Sequence, residues 1–105
     1  MPKDILGKWV MGKGETLPGL WFEFKADGTY AAELPGVLSI KSSGTYETHT
    51  DGTIEMNQTE HTMGLVGLFL GRYLVSGSTL KLSLSAAPGG PRPADLSQAR
   101  SYQRA

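Results

Sequence analysis

Three glycine-containing turns divide the middle of the chain, and they constrain its fold more than any other feature. Two of them are near copies, "KADGT" at 25–29 and "HTDGT" at 49–53, and the third is "VSGST" at 75–79. Alternating residues flank each turn, a pattern typical of β-hairpins. No segment sustains the 3.6-residue periodicity of a helix, so we predict helix only in short connections.

The side-chain pattern also predicts the register of each hairpin. In the first two hairpins, a two-residue Asp-Gly turn would mix polar and apolar side chains on one face. A three-residue loop with Gly28 or Gly52 as a left-handed bulge residue keeps one face largely apolar. In the third hairpin, a two-residue turn that begins at Gly77 suits the alternation. The predicted facing pairs are Phe24 with Tyr30, Phe22 with Ala32, Leu20 with Leu34, Tyr46 with Met56, Thr48 with Ile54, Val75 with Leu80 and Tyr73 with Leu82.

These hairpins predict seven or eight antiparallel strands in a single domain that spans 1–105. The predicted strands cover residues 6–11, 20–25, 29–34, 44–49, 53–59, 68–76, 79–85 and 99–104, with a short ninth strand proposed near 37–41. Sequential hairpins leave no room for crossover helices and form a meander, which loses its exposed edges when it closes on itself. We therefore expect an all-β fold, a small antiparallel up-and-down β-barrel of about eight strands. The Pro-rich segment 87–98 is expected to be a long surface loop.

The charge balance and the absence of cysteine exclude several classes of function. Ten Lys and Arg residues balance ten Asp and Glu residues, so the chain has no electrostatic footprint for nucleic acid. Without cysteine there are no disulfides, thiolate metal sites or cysteine nucleophiles. The longest apolar run, at 65–70, is too short to span a bilayer, and residues 1–10 lack the apolar segment of a secretory signal. We expect no membrane span and no cofactor. The sequence does not fix the compartment, although the missing signal segment favours a cytoplasmic location over export.

Short motifs at both ends of the chain resemble the lipocalin or calycin superfamily. They are "GKW" at 7–9 on the first strand, "FKADGTY" at 24–30 in the first hairpin and "YQR" at 102–104 on the last strand. The chain is most similar to short bacterial lipocalin-like domains, which share these motifs over nearly the whole length. It is shorter than full lipocalins and lacks their C-terminal helix.

The resemblance implies how the barrel is closed at its bottom. In that family the Trp of the first strand fills the end of the barrel, and an Arg of the last strand packs across its indole. A guanidinium over an aromatic face is a favoured pair. The resemblance assigns this closing role to Gly7, Trp9 and Arg104, with Arg100 as the second choice for the Arg.

Alternate residues of the predicted strands point into the barrel, and most of them are apolar. Polar side chains, among them Gln58, stand in this set, whereas Ala32 and Gly44 leave space. A filled core is the usual content of a small barrel, but an apolar interior with a few polar groups is also typical of a ligand site. The alternative to a filled core is a small apolar ligand held at the barrel mouth near 60–71. The candidate ligand-binding residues are Tyr30, Tyr46, Gln58, His61, Phe69 and Tyr73.

Both histidines stand near carboxylates, and they are the candidates for metal binding or acid–base chemistry. Glu47 faces Glu55 in the predicted second hairpin, and such opposed like charges invite a cation or a protonated His49. His61 follows Glu60 in a connection, where a His–carboxylate pair could transfer protons. The sequence has no nucleophile elbow, zinc-binding helix motif or phosphate loop. We expect a solvated surface at Glu47 and Glu55, no metal site and no enzyme activity.

An apolar run, "LVGLFL" at 65–70, does not alternate between inside and outside as its neighbours do. Such a run has three explanations: it is covered on both faces, it caps the barrel mouth, or it pairs with another chain. Trp21 points outward in the predicted register, where the Pro-rich loop is one way to cover it. The alternative to ligand binding is therefore a structural or interaction domain with a filled core, which forms a homodimer or binds another protein through Trp21 and Leu65–Leu70.

Overall fold

A computed structural model describes residues 5–11, 19–35, 39–85, 88–97 and 99–105. The strands are β1 (Gly7–Met11), β2 (Trp21–Phe24), β3 (Thr29–Leu34), β4 (Ile40–Thr48), β5 (Thr53–His61), β6 (Gly67–Ser76), β7 (Thr79–Leu84) and β8 (Arg100–Arg104). Each strand pairs antiparallel with the next, and β8 pairs with β1, so the sheet closes into a barrel. The expected all-β up-and-down barrel is confirmed. The described residues include no helix long and apolar enough to cross a membrane.

The three hairpins have the registers that the side-chain pattern predicts. Gly28 and Gly52 adopt φ angles of 87° and 85°, as the bulge position of a three-residue loop requires. Gly77 adopts φ of 60°, which suits the first position of a tight two-residue turn. The predicted pair of Leu20 with Leu34 lies beyond the end of the β2–β3 ladder. The confirmed pairs are Phe24 with Tyr30, Phe22 with Ala32, Tyr46 with Met56, Thr48 with Ile54, Val75 with Leu80 and Tyr73 with Leu82.

The two "DGT" turns recur because the Asp and Thr side chains fix the same local geometry. The Asp27 carboxylate accepts hydrogen bonds from the Thr29 hydroxyl at 2.6 Å and from its backbone N–H at 3.0 Å. Asp51 accepts the same two bonds from Thr53 at 2.7 and 3.0 Å. These hydrogen bonds lower the pKa of both carboxyl groups. Each turn is therefore closed by its own side chains as well as by its glycine.

Strand β4 corrects the predicted boundaries, because Ile40–Thr48 is one continuous strand and not a short ninth strand followed by 44–49. The serines and glycine in its middle have low strand propensity, which makes the pattern look interrupted. Residues 37 and 38 of the proposed ninth strand lie outside the described residues. Strand β5 also continues to His61, two residues beyond its predicted end. The segment that follows is a turn and loop.

A β-bulge makes the long pairing of β4 with β5 possible. Ser43 pairs with Glu60, but Gly44 pairs with Gln58, which leaves Thr59 as an extra residue on β5. The two backbones approach so closely that a Cβ on Gly44 would lie 1.9 Å from a backbone oxygen of β5. Only glycine fits at this position.

The two ends of the barrel differ in how they are closed. The closed end carries the three tight hairpin turns, the start of β1 and the end of β8, and the open end carries the connections that precede β2, β4, β6 and β8. At the closed end, Trp9 is fully buried and its Nε1–H donates to the Ile5 carbonyl oxygen at 2.8 Å. The Arg104 guanidinium lies 4.0 Å from the Trp9 ring centroid. It also donates to the Leu6 carbonyl oxygen at 2.8 Å. Gly7, with φ of 112°, lets this guanidinium pass, because a Cβ there would lie 3.0 Å from its Nη1.

Candidate ligand cavity at the open end

The barrel interior is filled at the closed end and hollow at the open end. Near the closed end the rings of Phe24 and Tyr46 meet edge to face at 4.9 Å, and Phe22 packs against Phe24 and Tyr102. Towards the open end a cavity of about 380 Å³ enters the barrel. This volume lies in the range of small-molecule sites. Its lining is Leu20, Phe22, Tyr30, Ala32, Glu33, Leu34, Ile40, Ser42, Met56, Gln58, His61, Leu65, Phe69 and Leu84.

Most of the cavity wall is aliphatic or aromatic, and it follows from the alternation of the strands. Ala32 supplies the space, since its small side chain points inward where its neighbours on β2 and β3 carry large ones. Ala31, the preceding residue, faces outward. The wall therefore resembles a hydrophobic pocket with few polar groups, which is the usual character of a small-molecule site.

Two of the polar wall residues, Tyr30 and Gln58, are hydrogen-bonded to each other. The Tyr30 hydroxyl donates to Gln58 Oε1 at 3.2 Å, and Gln58 Nε2 donates to the Leu65 carbonyl oxygen at 2.5 Å. Burial raises the pKa of Tyr30 to about 12, so its hydroxyl remains protonated and keeps this hydrogen bond at ordinary pH. Tyr30 and Gln58 thus tie the wall to the β5–β6 loop.

The bulge turns His61 into the cavity. Ile54, Met56 and Gln58 point inward in alternation, and an unbroken strand would place residue 60 inward and residue 61 outward. The extra residue in β5 reverses this order, so that His61 pairs with the inward-facing Ser42 and lines the cavity. A bulge re-aims the side chains that follow it.

His61 also organises the loop that follows β5. Its Nδ1 accepts hydrogen bonds from the backbone N–H groups of Met63 and Leu65, at 3.0 and 3.3 Å. A ring nitrogen that accepts hydrogen bonds carries no proton, so the neutral ring carries its proton on Nε2. The Nε2–H and the Ser42 hydroxyl make no hydrogen bond to any described residue. With the second N–H of the Gln58 amide, they are the unused donors of the described part of the cavity wall.

The candidate ligand residues do not all lie together. Four of them line the cavity, namely Tyr30, Gln58, His61 and Phe69, whereas Tyr46 and Tyr73 do not. The Tyr46 hydroxyl donates to the Lys25 carbonyl oxygen at 2.8 Å, in the first tight turn. Tyr73 is buried in the core, and its N–H donates to Gly52 in the second tight turn. Their placement at a mouth site is corrected, because alternation predicts which side chains point inward but not their depth along the barrel.

Several cavity residues were not among the candidates. Ser42 is the informative one, because it occupies an inward position of β4 that the predicted strand 44–49 did not reach. Leu65 was assigned to a surface patch, and Leu84 only to the general core. The alternation of Ile40, Ser42 and Gly44 is the signal that could have identified Ser42.

One of the two opposed carboxylates on the outer surface, Glu55, is paired with His49 and with the cation of Arg92. Glu55 Oε1 lies 2.5 Å from His49 Nε2, and Glu55 Oε2 lies 2.7 Å from Arg92 Nη2. The hydrogen bond to Glu55 raises the pKa of His49. Burial opposes ionisation of Glu55, but the hydrogen bonds from Arg92 and His49 outweigh it and lower the pKa of Glu55. Among the described residues no group of three or more His, Asp or Glu side chains could hold a metal ion.

Arg92 belongs to the Pro-rich loop, which packs along the outside of β6. Its Nη1 donates to the Gly71 carbonyl oxygen at 2.8 Å, and Arg72 Nε donates to the Pro93 carbonyl oxygen at 2.7 Å. The described part of the loop therefore covers part of β6, four strands away from β2 and Trp21 in the ring. The sequence predicted a surface loop here, but it carried no signal for the pairing of Arg92 with Glu55.

The predicted surface of Trp21 and Leu65–Leu70 is not a single patch. Leu65 and Phe69 line the cavity, although Leu65 is also 46% exposed, and Val66 and Leu68 are 49% and 45% exposed. Trp21 lies on β2 and Leu68 on β6, which are four strands apart in a closed ring of eight, so their outward faces lie on opposite sides. Trp21 is partly covered by Lys8, whose Nζ lies 4.4 Å from the ring centroid.

No family model matches the chain, and no curated protein matches it. Membership of a lipocalin-like family stays a prediction based on the short motifs at 7–9, 24–30 and 102–104. The closed eight-stranded meander is consistent with such a fold.

Proposed function

We propose that this protein is a non-enzymatic binding domain that holds a small, mostly apolar molecule in the open-end cavity. The observation that carries the proposal is an apolar space of about 380 Å³ at one end of a barrel whose other end is filled. A cavity of about 150 Å³ with similar lining is enough to bind benzene. The space here is more than twice as large, so it suits a molecule of one or two small rings or a short alkyl chain.

Adjacent alanines on β3 allow a matched test of this proposal. Ala32→Leu adds three carbons that point into the cavity, and Ala31→Leu adds the same carbons on the outer face. Both variants are titrated with N-phenyl-1-naphthylamine, a neutral apolar probe whose fluorescence increases in apolar surroundings. We expect saturable one-to-one binding to the wild type and to Ala31→Leu, and at least tenfold weaker binding to Ala32→Leu. Denaturant unfolding of each variant checks that it is folded.

Two results would contradict the proposal. One is a failure of the wild type to bind the probe, or any member of a panel of small apolar molecules, in a saturable manner. The other is equal binding by Ala32→Leu and Ala31→Leu, which would place the probe outside the cavity.

A second candidate function is self-association through the β5–β6 loop and the outer face of β6. Met63 is 75% exposed, and Val66 and Leu68 are also exposed beside it. Exposed apolar clusters commonly mark interaction sites. Sedimentation of the wild type and of Val66→Asp distinguishes the two candidates, since a concentration-dependent dimer that the substitution dissociates would favour self-association. A monomer at high micromolar concentration would exclude it.

A further inference from the structure

We infer that the cavity selects ligands that carry an uncharged carbonyl oxygen at the end of an apolar body, held by Ser42 and His61. This inference deepens the proposed function and rests on it. It comes from the pattern of used and unused hydrogen-bonding groups on the cavity wall and from the charges around its rim.

The tautomer of His61 determines what the ring offers to a ligand. Two backbone N–H groups of the β5–β6 loop, those of Met63 and Leu65, occupy Nδ1. The neutral ring must therefore present a donor at Nε2. Nδ1 of His61 therefore binds the loop, and the Nε2–H remains available as a hydrogen-bond donor.

Ser42 supplies a second donor beside the first. Ser42 and His61 are directly opposite residues of antiparallel strands, and their side chains both face inward. Opposite residues in such a pair have Cβ atoms about 4.5–5.5 Å apart. One carbonyl oxygen, which has two lone pairs, can lie between two donors at this spacing.

Most of the remaining hydrogen-bonding groups of the described wall are used within the protein. Tyr30 donates to Gln58, and one N–H of the Gln58 amide donates in turn to Leu65, which leaves that amide a second N–H. Among the hydroxyl and ring N–H groups of the described wall, only those of Ser42 and His61 lack a protein partner. These two donors lie on directly opposite residues, so they direct the polar part of a ligand to one place.

The charges at the rim favour a neutral acceptor over a carboxylate. Glu33 lines the cavity, and Glu33, Lys41 and Glu60 surround a shallow groove on the outer face that shares Ser42 and His61 with the cavity. Two carboxylates outnumber one ammonium group there. A ligand carboxylate would face like charges, and a hydrocarbon would leave two donors without water or a partner.

Ligands of similar size test this selectivity. The series is 4-phenyl-2-butanone, butylbenzene, 4-phenylbutanoate and 4-phenylbutylamine, each used to displace N-phenyl-1-naphthylamine from the wild-type protein. We expect the ketone to bind roughly three- to tenfold more tightly than butylbenzene, the range for one or two net hydrogen bonds. We also expect it to bind more tightly than the carboxylate and the amine.

Variants at the donors separate a ligand contact from a structural role. His61→Asn places an oxygen at the same number of bonds from Cα as Nδ1, so it can still accept from the loop, while its amide N–H lies closer to the backbone than the Nε2–H that it replaces. Ser42→Ala removes the second donor. Ser43→Ala is the matched control, because Ser43 is the next residue and its hydroxyl faces Glu60 on the outside. We expect the first two variants to lose the ketone preference while butylbenzene affinity stays the same or rises, and Ser43→Ala to behave as wild type.

The outcomes distinguish this inference from the proposed function. If butylbenzene binds and Ala32→Leu blocks it, but the ketone binds no better, the cavity is a ligand site and the carbonyl preference is wrong. The preference is equally wrong if the carboxylate or the amine binds most tightly, or if both donor variants retain it. If the probe binds and Ala32→Leu blocks it, but no member of the series displaces it, the inference fails and the proposed function stands. If the probe itself does not bind, both fail.

Discussion

Replacement of Trp9 by Phe should destabilise the barrel by about 2–4 kcal/mol, although the new side chain is also an aromatic ring. Trp9 and Ile5 are both fully buried, and the indole N–H is bonded to the Ile5 carbonyl oxygen at 2.8 Å. Phe cannot donate this bond, and a buried carbonyl left without its partner costs about 1–3 kcal/mol. Loss of the second ring leaves a void, which adds about 1 kcal/mol.

The guanidinium that covers Trp9 provides an internal comparison. Arg104 is exposed, so its interaction with the indole face contributes about 0.5–1 kcal/mol. Its hydrogen bond to the Leu6 carbonyl oxygen contributes a similar amount. Arg104→Ala should therefore cost about 1–2 kcal/mol, less than Trp9→Phe, because an exposed group can be replaced by water and a buried donor cannot.

Urea unfolding followed by far-ultraviolet circular dichroism measures both variants without relying on the fluorescence that one of them changes. Domains of this size have about 5–15 kcal/mol of stability, so both variants should remain folded. The slope of the unfolding free energy against urea should stay unchanged, which shows that the same surface is exposed on unfolding. A loss below about 1 kcal/mol for Trp9→Phe, or a larger loss for Arg104→Ala, would refute the role of the buried N–H in closing the barrel.

Two further predictions concern the surface charges and the bulge. The stabilising contribution of the His49–Glu55–Arg92 group should be largest between about pH 4.5 and 6.5, the ordinary pKa values of Glu55 and His49. Because the pKa of His49 is raised in the folded protein, the contribution of His49 to stability is lost as pH rises through the raised pKa. Because the pKa of Glu55 is lowered, the contribution of Glu55 is lost as pH falls through the lowered pKa. Thermal melting across pH should show a smaller decline on the alkaline side for His49→Asn, and an unchanged profile would contradict this. Gly44→Ala should destabilise the protein far more than Gly28→Ala. A Cβ at residue 28 would meet no atom within 4 Å, so that substitution carries only the cost of the positive φ. Equal losses in urea unfolding would show that β4 and β5 do not approach closely at Gly44.

The hairpins could be predicted from the sequence because the information that determines them is local. A one-residue slip would move the apolar side chains of Phe24, Tyr30 and Met56 to the other face, so the alternation alone excludes the wrong register. The "DGT" turns add a glycine and a capping Asp at fixed offsets. Closure into a barrel then follows from the need to remove the edges of a meander.

The cavity could be predicted only in part, because its shape depends on non-local packing. Alternation places Tyr46 and Tyr30 on the same inner face, but it cannot show that Tyr46 contacts the first turn while Tyr30 lines the cavity. Arg92 reaches Glu55 across 37 residues of sequence, and no periodicity records such a contact. Depth in the barrel and the path of a long loop are decided by tertiary contacts.

The bulge links the fold to the chemistry of the cavity. Without the extra residue in β5, alternation would send Glu60 inward and turn His61 to solvent. A carboxylate on an apolar wall would have to lose its charge or find a partner, whereas a neutral imidazole carries a donor into the same place at little cost. Gly44 is what permits the bulge, because any side chain there would strike β5. Gly44 is not among the described residues that line the cavity, yet it determines which side chain of β5 faces into it. Under the proposed carbonyl preference, a variant of Gly44 that still folds should lose that preference together with the inward position of His61.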